Sequence, residues 1–388
     1  MRIAIVHEWL VTYAGSEKVL EVMLSIFPEA DVFCLLDFMP DDFRAWLGGR
    51  QVRTSFLQSF PGIKHYYRKM LPLMPAAVEQ FDLSGYDLVI SNSHAVAKGV
   101  LTGGDQLHIC YCYTPMRYAW DLQHQYMNES NLRSGPKSIL ARWMLHKARV
   151  WDSRTANGVD HFVAVSNYIA RRIRKAYHRE STIIYPGVAV DKFLLCNKKQ
   201  DYYVTCSRMV PYKKINLIVD AFRKMRGRNL VVIGDGPQFA QAKALAGPNV
   251  KLLGYQPHDV LHSYLQNAKA FIFAAEEDYG IAPIEAQACG TPVLAYGKGG
   301  ASETVADGVT GYHFNEQTVE SLCATIERFE STSQNFSPSA IRTHALRFSE
   351  SRFKHEFKEF VESKYEIHQR MLSCSSTANI TQRLVEAT

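Results

Sequence analysis

Residues 276 to 288 read EEDYGIAPIEAQA, so two carboxylates, Glu277 and Glu285, stand eight positions apart around a glycine and a proline. The apolar run Ala270 to Ala275 comes immediately before them and predicts a buried strand. Gly280 permits a tight turn, Pro283 suits the first turn of a helix and Gly290 suits its end, so a short helix is expected to start near Ile281. Free N–H groups at Gly280, Ile281 and Ala282, with the helix dipole behind them, favour an anion such as a diphosphate. Glu285, at the start of that helix, can accept hydrogen bonds from ribose hydroxyls, and Glu277 in the loop can reach a sugar. Seen alone, both glutamates also fit as solvated surface groups or as acids at a helix N-terminus.

Arg208 and Lys213 lie in SRMVPYKK, directly after another predicted strand, Tyr202 to Cys206. Arginine meets phosphate with a planar fork and lysine with a point charge. Two such cations can hold one diphosphate and stabilise the charge that grows on it as it leaves. A basic surface loop is the alternative for a KK pair. Gly15-Ser16-Glu17 follows the first predicted strand and opens a helix, a second small anion-facing turn, although such a triplet often only caps a helix. Gly234-Asp235-Gly236-Pro237 lacks the third glycine of GxGxxG and is not read as a dinucleotide loop. There is no DxD arrangement: Asp41 and Asp42 are adjacent and Asp235 is solitary. No metal ligand set and no cofactor is expected, the cations and the helix terminus taking the place of an ion.

The elements that must carry these residues alternate. In the first half, runs such as Arg2 to Val6, Asp31 to Leu36, Leu107 to Cys112 and His161 to Val165 are separated by helical patterns such as Ser16 to Ile26 and Asn167 to Tyr177. The alternation restarts at Tyr202 after a polar, lysine-bearing stretch at Cys196 to Asp201. With 388 residues, 47% of them hydrophobic, the chain suits two folded α/β domains, each doubly wound around a parallel sheet. The expected boundaries are 1–197 for the first domain, 198–350 for the second, a final helix at 351–371 and a flexible Ser- and Thr-rich tail at 372–388. The unusual residues fall after strands in both halves, where open α/β sheets bind ligands, so the two domains are expected to face a central cleft.

Together these residues resemble the GT-B glycosyltransferases of family 4, and the resemblance spans nearly the whole chain. Glu277 and Glu285 match that family's E-x7-E motif, while SRMVPYKK, GDGP, GYQPHDVL, ACGTPVLA and the stretch Gly299 to Glu303 match in order and spacing. The resemblance implies two Rossmann-like domains, the second holding a nucleotide-sugar donor and the first an acceptor, with retention of anomeric configuration and no metal. By the same resemblance, Arg208 and Lys213 hold the diphosphate, Glu285 the ribose and Glu277 the sugar. Gly15 approaches the phosphates from the first domain, and the last helix crosses back to that domain. The opening HEWL and the block YCYTPMRYAWD are similar to bacterial mannosyltransferases of O-antigen and exopolysaccharide synthesis. That likeness implies a hexose, with mannose from GDP-mannose first and a UDP-sugar second, moved to a saccharide or polyprenyl-linked acceptor. Many relatives carry His where this chain has Tyr113; a phenol can donate a hydrogen bond there but is no comparable base. Arg117 and Asp121 can meet the acceptor, or pair with each other along a helix.

Net charge is +6, and basic residues cluster at Ile169 to Arg179 and at Lys64 to Lys69 beside Leu71 to Met74. Both segments can lie against an anionic membrane, and both also describe ordinary surface elements. The basic residues are too dispersed for a continuous nucleic-acid groove. RIAIV after Met1 is too short for a signal peptide core, and no run approaches the ~20 apolar residues of a membrane span. A cytoplasmic location, or a peripheral one at the inner face of the plasma membrane, is therefore expected. Eight cysteines without metal-ligand spacing read as buried thiols of a reducing compartment. A sugar-nucleotide epimerase of the same architecture is the competing enzyme class.

Overall fold

The computed structural model describes residues 1–130 and 132–386. It divides into two compact units, Met1–Ile184 together with the residues from Lys354 onward, and Tyr185–Phe353. The first unit has seven parallel strands: β1 (Ile3–Leu10), β2 (Asp31–Asp37), β3 (Val52–Thr54), β4 (Leu88–Ser93), β5 (Leu107–Cys112), β6 (His161–Ala164) and β7 (Ser181–Ile183). Their order is β3-β2-β1-β4-β5-β6-β7, so the winding reverses between β1 and β4. The connections carry α1 (Gly15–Ile26), α2 (Met74–Glu79), α3 (Gln123–Glu129), α4 (Pro136–Thr155) and α5 (Asn167–Tyr177). Elements cover both faces of such a sheet, which is why IAIV and VFCLL are buried throughout instead of alternating.

The second unit repeats the scheme with β8 (Tyr203–Cys206), β9 (Leu230–Ile233), β10 (Val250–Gly254), β11 (Ala270–Phe273), β12 (Val293–Tyr296) and β13 (Gly311–Phe314), all parallel. The order β10-β9-β8-β11-β12-β13 places its reversal between β8 and β11. Its helices are α6 (Ile215–Lys224), α7 (Phe239–Leu245), α8 (His258–Asn267), α9 (Ile281–Ala288), α10 (Ala301–Thr304), α11 (Val319–Thr332) and α12 (Pro338–Leu346). In α6, Ile215, Ile218, Val219 and Phe222 share one buried face at helical spacing and close the core over the sheet. The final helix α13 (Glu350–Glu386) buries Phe353, Phe357 and Val361, one per turn, and Phe357 packs edge-on against Phe27 and Tyr111 of the first unit's own core.

Two doubly wound α/β units are what the alternation led us to expect; the boundaries differ. The division falls at Ile184/Tyr185, because Val188, Val190 and Phe193 pack into the second unit's core ahead of the polar Cys196–Asp201 stretch. The last helix does not stop at 371: α13 runs to Glu386 through a stretch with no Gly or Pro, and Ala387 and Thr388 lie outside the described residues. The short strands β3 and β13 and the 20-residue α4 have no counterpart in the sequence reading. Both segments expected to face a membrane turn most of their apolar side chains inward, Leu73 being exposed. Ile63, Tyr67 and Met74 are core residues of the first unit, and α5 buries Ile169, Ile173 and Ala176.

Candidate active site

β8 ends at Cys206, and Ser207 and Arg208 follow at the sheet's carboxyl edge. Their path is set by the Gly234–Gly236 turn after β9. A Cβ on Gly234 would lie 1.9 Å from the Ser207 carbonyl oxygen, and one on Gly236 would lie 2.7 Å from that of Met209. Both glycines have positive φ, so the turn serves close backbone approach. The amide of Met209 donates to the Asp235 carbonyl at 2.8 Å, and that of Gln238 returns to the Met209 carbonyl at 3.1 Å. GDGP is thus a buttress for SRMV. A single 3-10 turn, Pro211–Lys213, then presents Lys213, and Lys214 at φ +56° redirects the chain into α6.

Across the reversal, β11 leads into Glu276–Gly280 and α9. Gly280 has φ +89°, no side chain caps the helix and its first turn, from Ile281 and Ala282 onward, holds no acid. A second pair of glycines braces this loop. The Gly300 amide donates to the Glu277 carbonyl at 2.7 Å, and a Cβ on Gly299 would stand 2.4 Å from that same oxygen. Tyr279, buried behind the loop, donates its hydroxyl to the Pro186 carbonyl at 3.0 Å.

These two loops bring Lys213 and Glu277 together, the ammonium hydrogen-bonded to Oε1, with 17% and 19% of the side chains exposed. Arg208 is exposed, and no ion pair of its guanidinium occurs among the described residues. Glu285 stands half-buried in the second turn of α9. Cys206 senses the whole group: burial pushes its thiol up, Glu285 and Glu277 push further and Lys213 opposes them. Five of the residues singled out in sequence, Arg208, Lys213, Glu277, Gly280 and Glu285, therefore share the switch point of one sheet.

The other candidates belong to the first unit and meet at its own switch point. Gly15 opens α1, where the Ala14 amide is taken by Glu17 Oε2 at 3.0 Å. Glu17 Oε1 lies 3.3 Å from His7 Nε2. Burial pushes the Glu17 carboxyl up, but the hydrogen bond and charge of His7 outweigh it and hold the group below its usual range. Tyr113, after β5, donates to the Ser16 carbonyl at 3.4 Å, as does Asn92 at 3.3 Å. Burial raises the Tyr113 hydroxyl well above its ordinary value, Glu17 adds to this and Asn92 opposes it, so the phenol stays protonated and serves as a donor. Arg117 lies half-buried in a series of turns; α3 begins only at Gln123. The Asp121 carboxylate pairs with Arg172, in place of a helical pair with Arg117.

A second acid escaped notice in the sequence. Glu8, fully buried at the end of IAIVH, accepts the amides of His94, Ala95, Val96 and Ala97 at 2.7–3.1 Å and the Ser93 hydroxyl at 3.1 Å. Burial pushes its carboxyl up; the adjoining His94 and these amides outweigh that and hold it below its usual range. Burial drives His94 down, Glu8 opposing, and its ring packs edge-on against Trp9 at 4.9 Å. A charged residue inside an otherwise apolar strand was the available signal, since it must have a buried partner. Among the described residues no group of three or more His, Cys, Asp or Glu side chains is arranged to hold a metal ion. No helix among them is long and apolar enough to cross a membrane.

Comparison with known proteins agrees in both halves. A family model described as Glycosyltransferase Family 4 matches residues 29–192, and one described as Glycosyl transferases group 1 matches residues 190–343. An uncharacterised glycosyltransferase of Methanocaldococcus jannaschii is 26% identical over 171 residues, 42% of this chain and 48% of that protein. A GDP-mannose-dependent alpha-(1-6)-phosphatidylinositol monomannoside mannosyltransferase of Mycolicibacterium smegmatis is 29% identical over 237 residues, 50% of this chain and 61% of that protein. The chain thus spans about half to three fifths of the length of these curated relatives. Among solved structures, HepE of Anabaena in complex with UDP superposes with a TM-score of 0.67 at 18% identity, over 94% of this chain and 100% of that one, a likeness of fold.

Proposed function

We propose that this chain, which belongs to the family 4, group 1 glycosyltransferases of GT-B fold, moves a hexose from a nucleoside diphosphate to a saccharide or lipid-linked saccharide acceptor. The observation that carries this reading is the Lys213–Glu277 pair set beside Arg208, with the open N-terminus of α9 on the same switch point. A lysine ammonium has three donors, so Lys213 can keep Glu277 and still hold a phosphate oxygen. Arg208, exposed, adds a fork for the remaining oxygens. As the sugar–phosphate bond breaks, negative charge accumulates on the diphosphate, and these fixed donors stabilise it more than they stabilise the bound donor. The Glu277 carboxylate accepts from the hydroxyls of the transferred sugar, and Glu285 from those of the ribose.

The finer terms are part of the same proposal. The donor is GDP-mannose, in keeping with the mannosyltransferase relative; the anomeric configuration is retained, and the two cations make a divalent ion unnecessary. The product belongs to cell-surface polysaccharide, built at the cytoplasmic face of the membrane with the enzyme in peripheral contact with anionic lipid. A thermal-shift series with GDP, UDP, ADP and their sugars, run in EDTA, tests the donor, because a ligand of the folded state raises apparent stability by mass action. GDP and GDP-mannose are expected to raise the melting temperature. A shift with UDP alone would replace the donor, and no shift with any nucleotide would remove the site. Conversion of the donor to another sugar nucleotide without acceptor would move the chain to the epimerases.

A further inference from the structure

Of the helices of the first unit, α4 gathers the most exposed large apolar side chains among the described residues. Ile139, Leu140, Trp143 and Val150 are 71%, 57%, 57% and 54% exposed. At about 100° per residue these four fall within an arc of about 100° on one side of the helix. Ser138 and Asp152, both buried, lie on the opposite side with Leu145, which packs on the unit's core. Lys147 and Arg154 share the apolar arc, Lys137 and Arg142 flank it, and all four are exposed. The Lys147 ammonium sits 5.7 Å from the centre of the Trp143 ring. The helix has one acid, Asp152, and it is buried with its carboxylate 2.7 Å from the Lys98 ammonium. Its outward face is therefore apolar and cationic, with nothing negative on it.

That combination selects among occupants. A second copy of the chain would press the same cations together, and an uncharged apolar partner would leave them without counter-ions. A sheet of anionic headgroups over an acyl interior meets both features: Trp and branched aliphatic side chains enter the boundary, and lysine and arginine stems reach back to phosphates. We propose that α4 lies flat on a bilayer containing anionic phospholipid, with Ile139, Trp143 and Val150 inserted and Lys137, Arg142, Lys147 and Arg154 on the headgroups. The proposal rests on the membrane clause of the proposed function and supplies its surface, in place of Lys64–Met74 and α5, most of whose apolar residues pack inward.

Sedimentation with vesicles of phosphatidylglycerol and phosphatidylcholine tests it on the full chain without any transfer reaction, so the membrane surface and the enzymatic reading fail separately. Binding is expected at low salt, weakening as salt rises, and absent from pure phosphatidylcholine. Ile139→Ser combined with Val150→Ser, both exposed, is expected to lower partitioning about tenfold at an unchanged melting temperature. Trp143 is one of five tryptophans, so Trp143→Phe is expected to bind as before while losing most of the fluorescence quenching by brominated lipid. Undiminished binding by the double variant, or quenching unaltered in Trp143→Phe, would overturn the proposal. So would failure of the unaltered protein to bind anionic vesicles, or a dimer in sedimentation velocity that the double variant abolishes, which would give the face to a second copy.

Discussion

The two units share a topology and treat the same structural opportunity in opposite ways. Each winds a parallel sheet outward from a switch point, where loops and helix starts leave amide N–H groups facing one place. The first unit supplies an anion of its own: Glu8 takes the four amides of His94 to Ala97, and Glu17 takes the amide of Ala14 and the ring of His7. In the second unit the start of α9 has neither a capping side chain nor an acid in its first turn, and Arg208 stands exposed. Where the amides are filled from within, the charge serves folding. Where a helix start has no capping side chain and no acid in its first turn, as at α9, the arrangement suits an anionic ligand. That contrast supports placing the proposed phosphate site in the second unit, on grounds independent of any motif.

The contrast breaks most visibly at Lys213. Lys213→Ala is expected to lower turnover a hundred- to a thousandfold, about 3–4 kcal/mol of barrier, and Glu277→Ala to abolish transfer likewise. The fold should survive both, since the two side chains sit in loops and belong to neither core cluster of the second unit. Steady-state kinetics beside a melting curve gives the answer; near-normal turnover in either well-folded variant would remove the roles assigned here.

In the first unit the corresponding change should act on stability. Glu8→Ala leaves the amides of His94 to Ala97, three of them buried, without that acceptor and is expected to cost on the order of 3 kcal/mol, with the affinity for GDP unaltered. The sign with pH follows from a carboxyl held below its ordinary value. Its contribution is complete above that value and is lost as pH falls through the lowered folded value. Urea unfolding between pH 7 and 3 should therefore show an acid limb that is shallower in Glu8→Ala. A variant that kept its stability and lost nucleotide affinity instead would erase the distinction between the units.

How much of this was legible follows from distance along the chain. The donor-side residues each come directly after a strand, and a turn glycine or proline marks the place, so Arg208, Lys213, Glu277 and Glu285 could be read locally. Which of them touch could not: Lys213 and Glu277 are 64 positions apart. The partners of Glu8 come from 85 to 89 positions away, so the sequence showed a misplaced acid and nothing to receive it. The unit boundary was misplaced because composition turns polar at Cys196, whereas packing changes sides earlier, at Tyr185. The strands β3 (VRT) and β13 (GYHF) include charged, polar or glycine residues, and so lack the continuous apolar run that marks the equally short β9 and β11. The helix α4 mixes apolar and basic residues on its outer face, and so lacks the apolar-in, polar-out alternation that marks a surface helix.

Tyr113 offers the finest division between the two roles. It sits in the first unit, yet it is expected from sequence to contact sugar or acceptor, and its hydroxyl reaches the Ser16 carbonyl at a long 3.4 Å with the Asn92 side chain beside it. If that hydrogen bond is all the hydroxyl does, Tyr113→Phe should cost less than about 1 kcal/mol of stability and leave kcat/KM for the acceptor unchanged. If the phenol donates to a substrate oxygen, the same small change in stability should accompany a fall in kcat/KM of about tenfold, with donor affinity constant. We expect the second outcome, because a phenol kept protonated by burial and by Glu17 is a fixed donor aimed at the start of α1. Equal kinetics in Tyr113→Phe would assign the residue to the inward-facing set, with Glu8 and Glu17.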